Sequence, residues 1–280
     1  GTVFSHTPTS NTTFTFSNPP ASGTAQGFTL KIVGANVSDG YDIANASYDS
    51  TSYASGQSNQ SGLVFKPDGT QMYITDFSLD SVRSHNLSTA WDVSTASFSY
   101  ELSLSSQDSN PFGVVFKSDG TKMYMAGQSN TRIYQYSLST AWDISTASYD
   151  NVSFSVSANS SAITGLFIKP DGTKMYITSA GNSAVNEYDL STAWDVSSAS
   201  YSTAFSISSY TPFYQLVFTP DGTRMLTTQD GTLNRINQFS LSTAWDVSTA
   251  SYDSVSFSVG TQEDEPLSLA FKTDGSKMYV

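Results

Sequence analysis

Two histidines, no cysteine and a scatter of loop carboxylates bound the chemistry open to this sequence. Without thiols there can be neither disulfides nor thiolate metal sites. His6 sits in a polar leader, and His85 takes the place that Tyr136, Tyr188 and Phe239 hold in related segments, which reads as packing. A transition-metal site is therefore not indicated. A Ser-His-Asp triad would have to use one of these histidines, and no nucleophile-elbow sequence accompanies them. Nor does a glycine-rich phosphate loop open a helix. Glycoside cleavage needs two opposed carboxylates. The candidates Asp80, Asp108, Asp230, Glu263, Asp264 and Glu265 show no pairing, and residues 263–265 read as a solvated acidic loop. No cofactor is called for, and the residues favour a binding protein over an enzyme.

Charge narrows the partners. The 280 residues carry a formal net charge of −12 and a pI near 4.3. Nucleic acid would be repelled, because its affinity comes largely from phosphate neutralisation by Lys and Arg. Anionic membrane surfaces are disfavoured for the same reason, and no apolar run is long enough to insert in a membrane. The opening residues 1–10 are polar and lack a signal-peptide core. A start at Gly rather than Met points to a trimmed N-terminus.

The elements that position the loops follow from a repeat. Asp-Gly recurs at Asp68, Asp119, Asp171, Asp221 and Asp274, at intervals of 50 to 53 residues. Three residues earlier stands Phe65, Phe116, Ile168, Phe218 or Phe271, and four residues later Met72, Met123, Met175, Met225 or Met278. A second block, Ser-Thr-Ala-Trp-Asp, places Trp91, Trp142, Trp194 and Trp245, with Tyr41-Asp42 as a decayed copy. Within one unit, residues 63–66, 72–75, 82–87 and 97–104 read as four short strands joined by turns. Four antiparallel strands per repeat of this length make a β-propeller blade.

The phase of the repeat predicts five four-stranded blades. Val280 corresponds to Ile74 at the end of a second strand, and residues 28–34 correspond to a third. Residues 1–25 are then a leader and 26–280 the propeller. Its blades fall near 62–111, 112–162, 163–212 and 213–265, with a closing blade shared by 266–280 and 26–61. Such sharing would close the ring and remove open sheet edges.

Repeated identity marks structural roles. The Asp of each Asp-Gly pair reads as a turn former, since one carboxylate per turn falls short of the about six to eight oxygens that calcium takes. The repeated Met residues read as packing between blades. Gly62, Gly113 and Gly165 begin inner strands, where blades crowd the axis. Gln215 and Ser268 replace them elsewhere, so polar groups are expected along part of the channel. The four Trp residues have two readings: packing over a blade edge, or a sugar-stacking platform repeated around one face. Loops 76–80, 127–131, 180–183 and 229–234 differ between blades, as do 107–110, 209–214 and 262–265. A varied face beside a uniform one suggests recognition. The candidate ligand-binding residues are Gln215, Ser268, Asp80, Asp108, Tyr214, Asp230, Glu263 and Glu265.

The pattern Phe65-x-Pro67-Asp68-Gly69-Thr70-x-Met72-Tyr73 resembles the blade motif of lactonase-type bacterial propellers. Residues 14–34, with the turn Asn18-Pro19-Pro20-Ala21-Ser22-Gly23, are similar to a segment of phage tail-fibre and other virion proteins, and the whole repeat resembles marine virus sequences. The resemblance implies a virion or extracellular adhesion propeller without catalytic residues to transfer. Its implied partners are a cell-surface glycan or protein receptor and other virion proteins. The alternatives are a lactonase-like or glycan-cleaving hydrolase with its site in the central channel, and a structural spacer.

Overall fold

The computed structural model describes residues 40–56 and 59–280. They form an all-β propeller in which four blades are four-stranded antiparallel meanders. Blade 1 comprises β1 (Gln60–Phe65), β2 (Gln71–Asp76), β3 (Ser81–Leu87) and β4 (Ala96–Ser103). Blade 2 comprises β5 (Pro111–Phe116), β6 (Lys122–Gly127), β7 (Arg132–Leu138) and β8 (Ala147–Ser155). Blade 3 holds β9 (Ile163–Ile168), β10 (Lys174–Ser179), β11 (Ala184–Leu190) and β12 (Ala199–Ser206). Blade 4 holds β13 (Phe213–Phe218), β14 (Arg224–Gln229), β15 (Arg235–Leu241) and β16 (Ala250–Ser258).

The expected fifth four-stranded blade is not found among the described residues. Two short strands, β17 (Ala270–Phe271) and β18 (Met278–Tyr279), form a hairpin by themselves. The segment expected to supply a third strand, residues 28–34, lies outside the described residues, as does the leader 1–25. The sequence register thus placed the hairpin correctly, and the strand expected beside it lies outside the described residues.

Burial explains why the strands differ in composition. The second strands β2, β6, β10 and β14 are buried from their second residue onward, because neighbouring blades cover both faces. They accordingly read as continuous runs, such as Met-Tyr-Ile in β2 and β10, rather than alternating patterns. The outermost strand β4 is almost wholly exposed and rich in Ser. Five apolar clusters run between adjacent blades, each joining side chains of two neighbours.

One packing unit recurs. In each complete blade the backbone N–H of the Trp donates to the carbonyl of the Asp-Gly glycine, at 3.0 Å for Trp91, Trp142, Trp194 and Trp245. Each Trp takes φ of +66 to +67°, an uncommon conformation for a bulky residue. Its indole then lies on that glycine, so closely that a Cβ at Gly120 would sit 2.2 Å from the Trp142 ring. The preceding blade adds a phenol: Tyr73, Tyr124 and Tyr176 donate to the carbonyls of Trp142, Trp194 and Trp245 at 2.5, 2.6 and 2.7 Å. Tyr279 of β18 does the same to Trp91 of blade 1 at 2.7 Å.

Charges finish the turn. Asp68, Asp119 and Asp171 each accept from the Thr two residues on and pair with Lys66, Lys117 or Lys169. In blade 4 the hydroxyl of Thr219 replaces the Lys. The Asp119 carboxyl is held down to about 2 by its hydrogen bonds from Lys117 and Thr121. After each Trp, an Asp caps a 3-10 turn, as Asp92 does for Val93–Thr95.

Gly120→Ala should destabilise the fold by more than about 1 kcal/mol, since alanine at positive φ is strained even before the indole is displaced. Tyr124→Phe, which only deletes the hydroxyl, should cost about 1 kcal/mol. Urea denaturation of both variants against wild type provides the measurement.

Candidate functional site

Two faces of the ring differ in how their side chains are used. On the face of the Asp-Gly turns, the four Trp rings are half-buried and engaged. Trp142 packs on Phe116 at 5.2 Å, Trp245 on Phe218 at 5.3 Å, and Trp91 on Phe65 at 5.2 Å. With a glycine against one surface and an aromatic beside it, each ring serves the packing role of the two foreseen from sequence.

On the opposite face the predicted residues part company. Asp108 is buried and spent on backbone: its carboxylate accepts from Asn110, Ser129 and Asn130 N–H groups at 2.9 to 3.1 Å. It fits there because position 127 is glycine; a Cβ would lie 2.4 Å from Asp108 Oδ2. Asp80 stands at positive φ in the β2–β3 turn, where its carbonyl accepts from Leu104 N–H at 2.7 Å. Asp108 is thus committed to the fold, whereas the Asp80 side chain stays half-exposed.

Gln215 is also buried. Its side-chain amide donates to the Leu166 carbonyl at 3.3 Å, and its Oε1 has no partner. It occupies space that Gly165 vacates, since a Cβ there would lie 2.8 Å from Oε1. Blades 1 and 2 also crowd the axis: a Cβ at Gly62 would stand 2.9 Å from the Gly113 Cα. At this level the inner strands of blades 1 and 2 approach backbone to backbone, and Gln215 packs into the space left by Gly165.

Above that plug, aromatic side chains converge. Phe112, at the start of β5, stacks on Phe77 of blade 1 at 5.5 Å and on Tyr214 of blade 4 at 5.9 Å, with interplanar angles of 8° and 11°. The Phe112–Tyr214 contact passes over blade 3, where Thr164 holds the equivalent position with its buried hydroxyl unpartnered. Sequence reasoning found Tyr214 and missed Phe77 and Phe112. The available signal was positional: Phe112, Thr164 and Tyr214 share one place in the repeat, four residues before the Phe or Ile that precedes each Asp-Gly.

Tyr214 gathers two more predicted residues. Burial pushes its phenol pKa up, and the Asp230 and Glu265 carboxylates push it the same way. The Asp230 and Glu265 carboxylates thus lie within electrostatic reach of Tyr214. Glu263 turns inward to accept from Glu265 N–H at 3.1 Å. Ser268, Glu263 and Glu265 line a cleft of about 680 Å³ beside β18. Phe112 is buried within the stack, and Phe77 and Tyr214 are half-buried at its two ends. Among the described residues no three His, Cys, Asp or Glu side chains cluster as metal ligands.

His85 is fully buried between Tyr53 and Phe98, with ring centroids at 5.3 and 6.1 Å. Burial, reinforced by Arg83, lowers its pKa.

No protein-family model and no curated protein match the chain. Solved structures do. A putative 6-phosphogluconolactonase from Bacteroides uniformis is similar with a TM-score of 0.52 and 14% identity, over 81% of this chain and 79% of that one. A protein of unknown function from Desulfotomaculum acetoxidans follows at 0.49 and 13%, over 76% and 61%. A periplasmic gluconolactonase from Pseudomonas aeruginosa gives 0.45 and 14%, over 70% and 53%. At such identity the first supports the propeller fold alone, and the virion resemblance draws no support from these structures.

His85 yields a pH prediction. Its folded pKa lies below the ordinary 6.5, so the unfolded chain binds a proton first and stability falls as pH drops below about 6.5. His85→Phe, the residue blade 4 has at this position, should abolish that part of the pH dependence. Denaturation midpoints between pH 5 and 8, roughly the range where histidine titrates, would show it.

Proposed function

We propose that this protein is a non-enzymatic, virion-associated or extracellular propeller that binds a cell-surface glycan or protein receptor. The binding face is the one formed by the β2–β3 type turns and the loops between blades. The observation carrying this reading is the Phe77–Phe112–Tyr214 stack, with Asp230 and Glu265 within electrostatic reach of Tyr214, at positions where the other blades carry different residues. The half-buried rings of Phe77 and Tyr214 beside hydrogen-bonding groups suit sugar rings and polar receptor loops alike. The net charge of −12 favours neutral or basic partners over polyanions. As part of the same reading, the ring has five blades, its last completed by chain N-terminal to Gly40.

A hydrolase working in the central channel gains less support, because Gln215 and the closely set inner strands occupy the axis. The Bacteroides uniformis structure lends it fold likeness only.

A glycan array combined with binding to intact bacterial cells tests the proposal. Wild type should retain at least one surface polysaccharide or cell type, and Tyr214→Ala should weaken it about tenfold or more, as loss of an aromatic anchor does. Absence of binding to every glycan and every cell surface would overturn it. Tail or capsid genes adjoining the coding sequence would support the virion setting; their absence would count against it.

A further inference from the structure

The cleft beside β18 has the dimensions of a missing strand. Phe257 and Val259 of blade 4 form one wall, and Leu63, Met72 and Ile74 of blade 1 the other. Residues 46–53 border it and repeat the sequence of the outer strands: Ala46, Tyr48 and Asp49 match Ala250, Tyr252 and Asp253.

Three contacts place residues 41–53 at the Trp-type loop and outer-strand position. Asp49 takes the Lys277 ammonium at 3.0 Å, just as Asp150 of β8 takes Lys122 of β6 at 2.9 Å across the intervening β7. Tyr53 meets His85 of blade 1 edge-on at 5.3 Å, matching Phe154 on Tyr188 at 5.7 Å and Phe205 on Phe239 at 5.6 Å. Tyr41 lies over Gly275, where a Cβ would be 2.5 Å from its ring, as each Trp lies over its own glycine. Yet among the described residues no strand pairs with the outer edge of β18, and residues 46–53 are in no sheet. Second and fourth strands stand two strand spacings apart, about 10 Å. The cleft is therefore one strand wide.

We propose that this slot receives residues 31–37 of the same chain as an antiparallel strand, with Ala35 opposite Met278. The inference rests on the five-blade reading above and adds to it an occupant and a register. Residues 31–37 lie outside the described residues; the spacing of the complete blades identifies them. Each third strand there ends four residues before the Trp: Leu87, Leu138, Leu190 and Leu241. Four residues before Tyr41 stands Val37. The second position of those strands is Val82, Ile133, Val185 or Ile236, each 0% exposed, and Ile32 falls there. Lys31 matches Arg132 and Arg235 at the first position. The register is three residues C-terminal to the 28–34 reading. Met278 faces position 35 because Met72, Met123, Met175 and Met225 face His85, Tyr136, Tyr188 and Phe239.

Chain connectivity selects this occupant over a second copy. Gly40 rests on the Asp274-Gly275 turn, a Cβ there falling 2.2 Å from the Asp274 carbonyl oxygen. Third strands end at this end of every complete blade, so residue 37 is already tethered at the mouth of the slot. A short tether gives an effective concentration of order millimolar.

The cysteine-free chain makes cross-linking a direct test. Full-length Ala35→Cys/Met278→Cys, oxidised and digested, should give a disulfide within one chain by mass spectrometry, while Asn36→Cys/Met278→Cys, on the opposite face, should not. Hydrogen exchange on wild type reads the same point without substitution: amides of 31–37 should be protected like those of β3. A disulfide only in the Asn36 variant overturns the register and leaves the five-blade ring standing. Free exchange at 31–37 with neither disulfide overturns both. A disulfide between chains overturns the occupant in favour of a second copy.

Discussion

The ring depends on an indole resting on a glycine. An Asp-Gly turn presents a bare Cα, the Trp of the same blade lies on it at positive φ, and the preceding blade's Tyr binds the Trp carbonyl. Local turn chemistry, intra-blade packing and contact between blades meet in one cluster. The strained φ of each Trp is tolerated because the carbonyl it presents is the acceptor for the neighbouring phenol. Removing any partner unbalances the other two, which is why the motif is kept so nearly constant from repeat to repeat within this chain.

That economy leaves the opposite face free to vary. With blade order and spacing held by the turn cluster, the loops beyond β2 and β4 need only close without disturbing the inner strands. Each does so differently: a carboxylate folded into a glycine space at Asp108, a hydroxyl pair at Ser160 and Ser179, an aromatic span at Phe112 and Tyr214. Glu187 is a related case inside the blade, buried yet joined to Lys174 and to the N–H of Val247 in the next blade. Polar groups here work chiefly as joints between blades.

Much of this was legible in the residues. The intervals between Asp-Gly pairs define the blades, and the Met-Tyr runs mark the strands covered on both faces. The roles of single side chains were harder to read. Gln215 and Ser268 were recognised as the exceptions among axial glycines, but the sequence does not say that Gln215 is buried against the Leu166 carbonyl; the approach of the neighbouring strand decides that. Asp108 looked like a loop carboxylate because its partner space, the absent Cβ of Gly127, belongs to another strand. Phe112 meets Tyr214 only through the curvature of the ring, a relation no linear spacing encodes. The count of complete blades depends on residues outside those described.

One interface departs from the cyclic pattern. Where every other junction has Tyr donating to the carbonyl of Trp, the junction after blade 4 has Leu226 and Tyr41. Both partners changed together, so the ring carries one joint without its latch. A closed ring with a single soft seam has a preferred place to part. It is also the point at which duplication of a repeat could enlarge the circle without breaking any of the other latches.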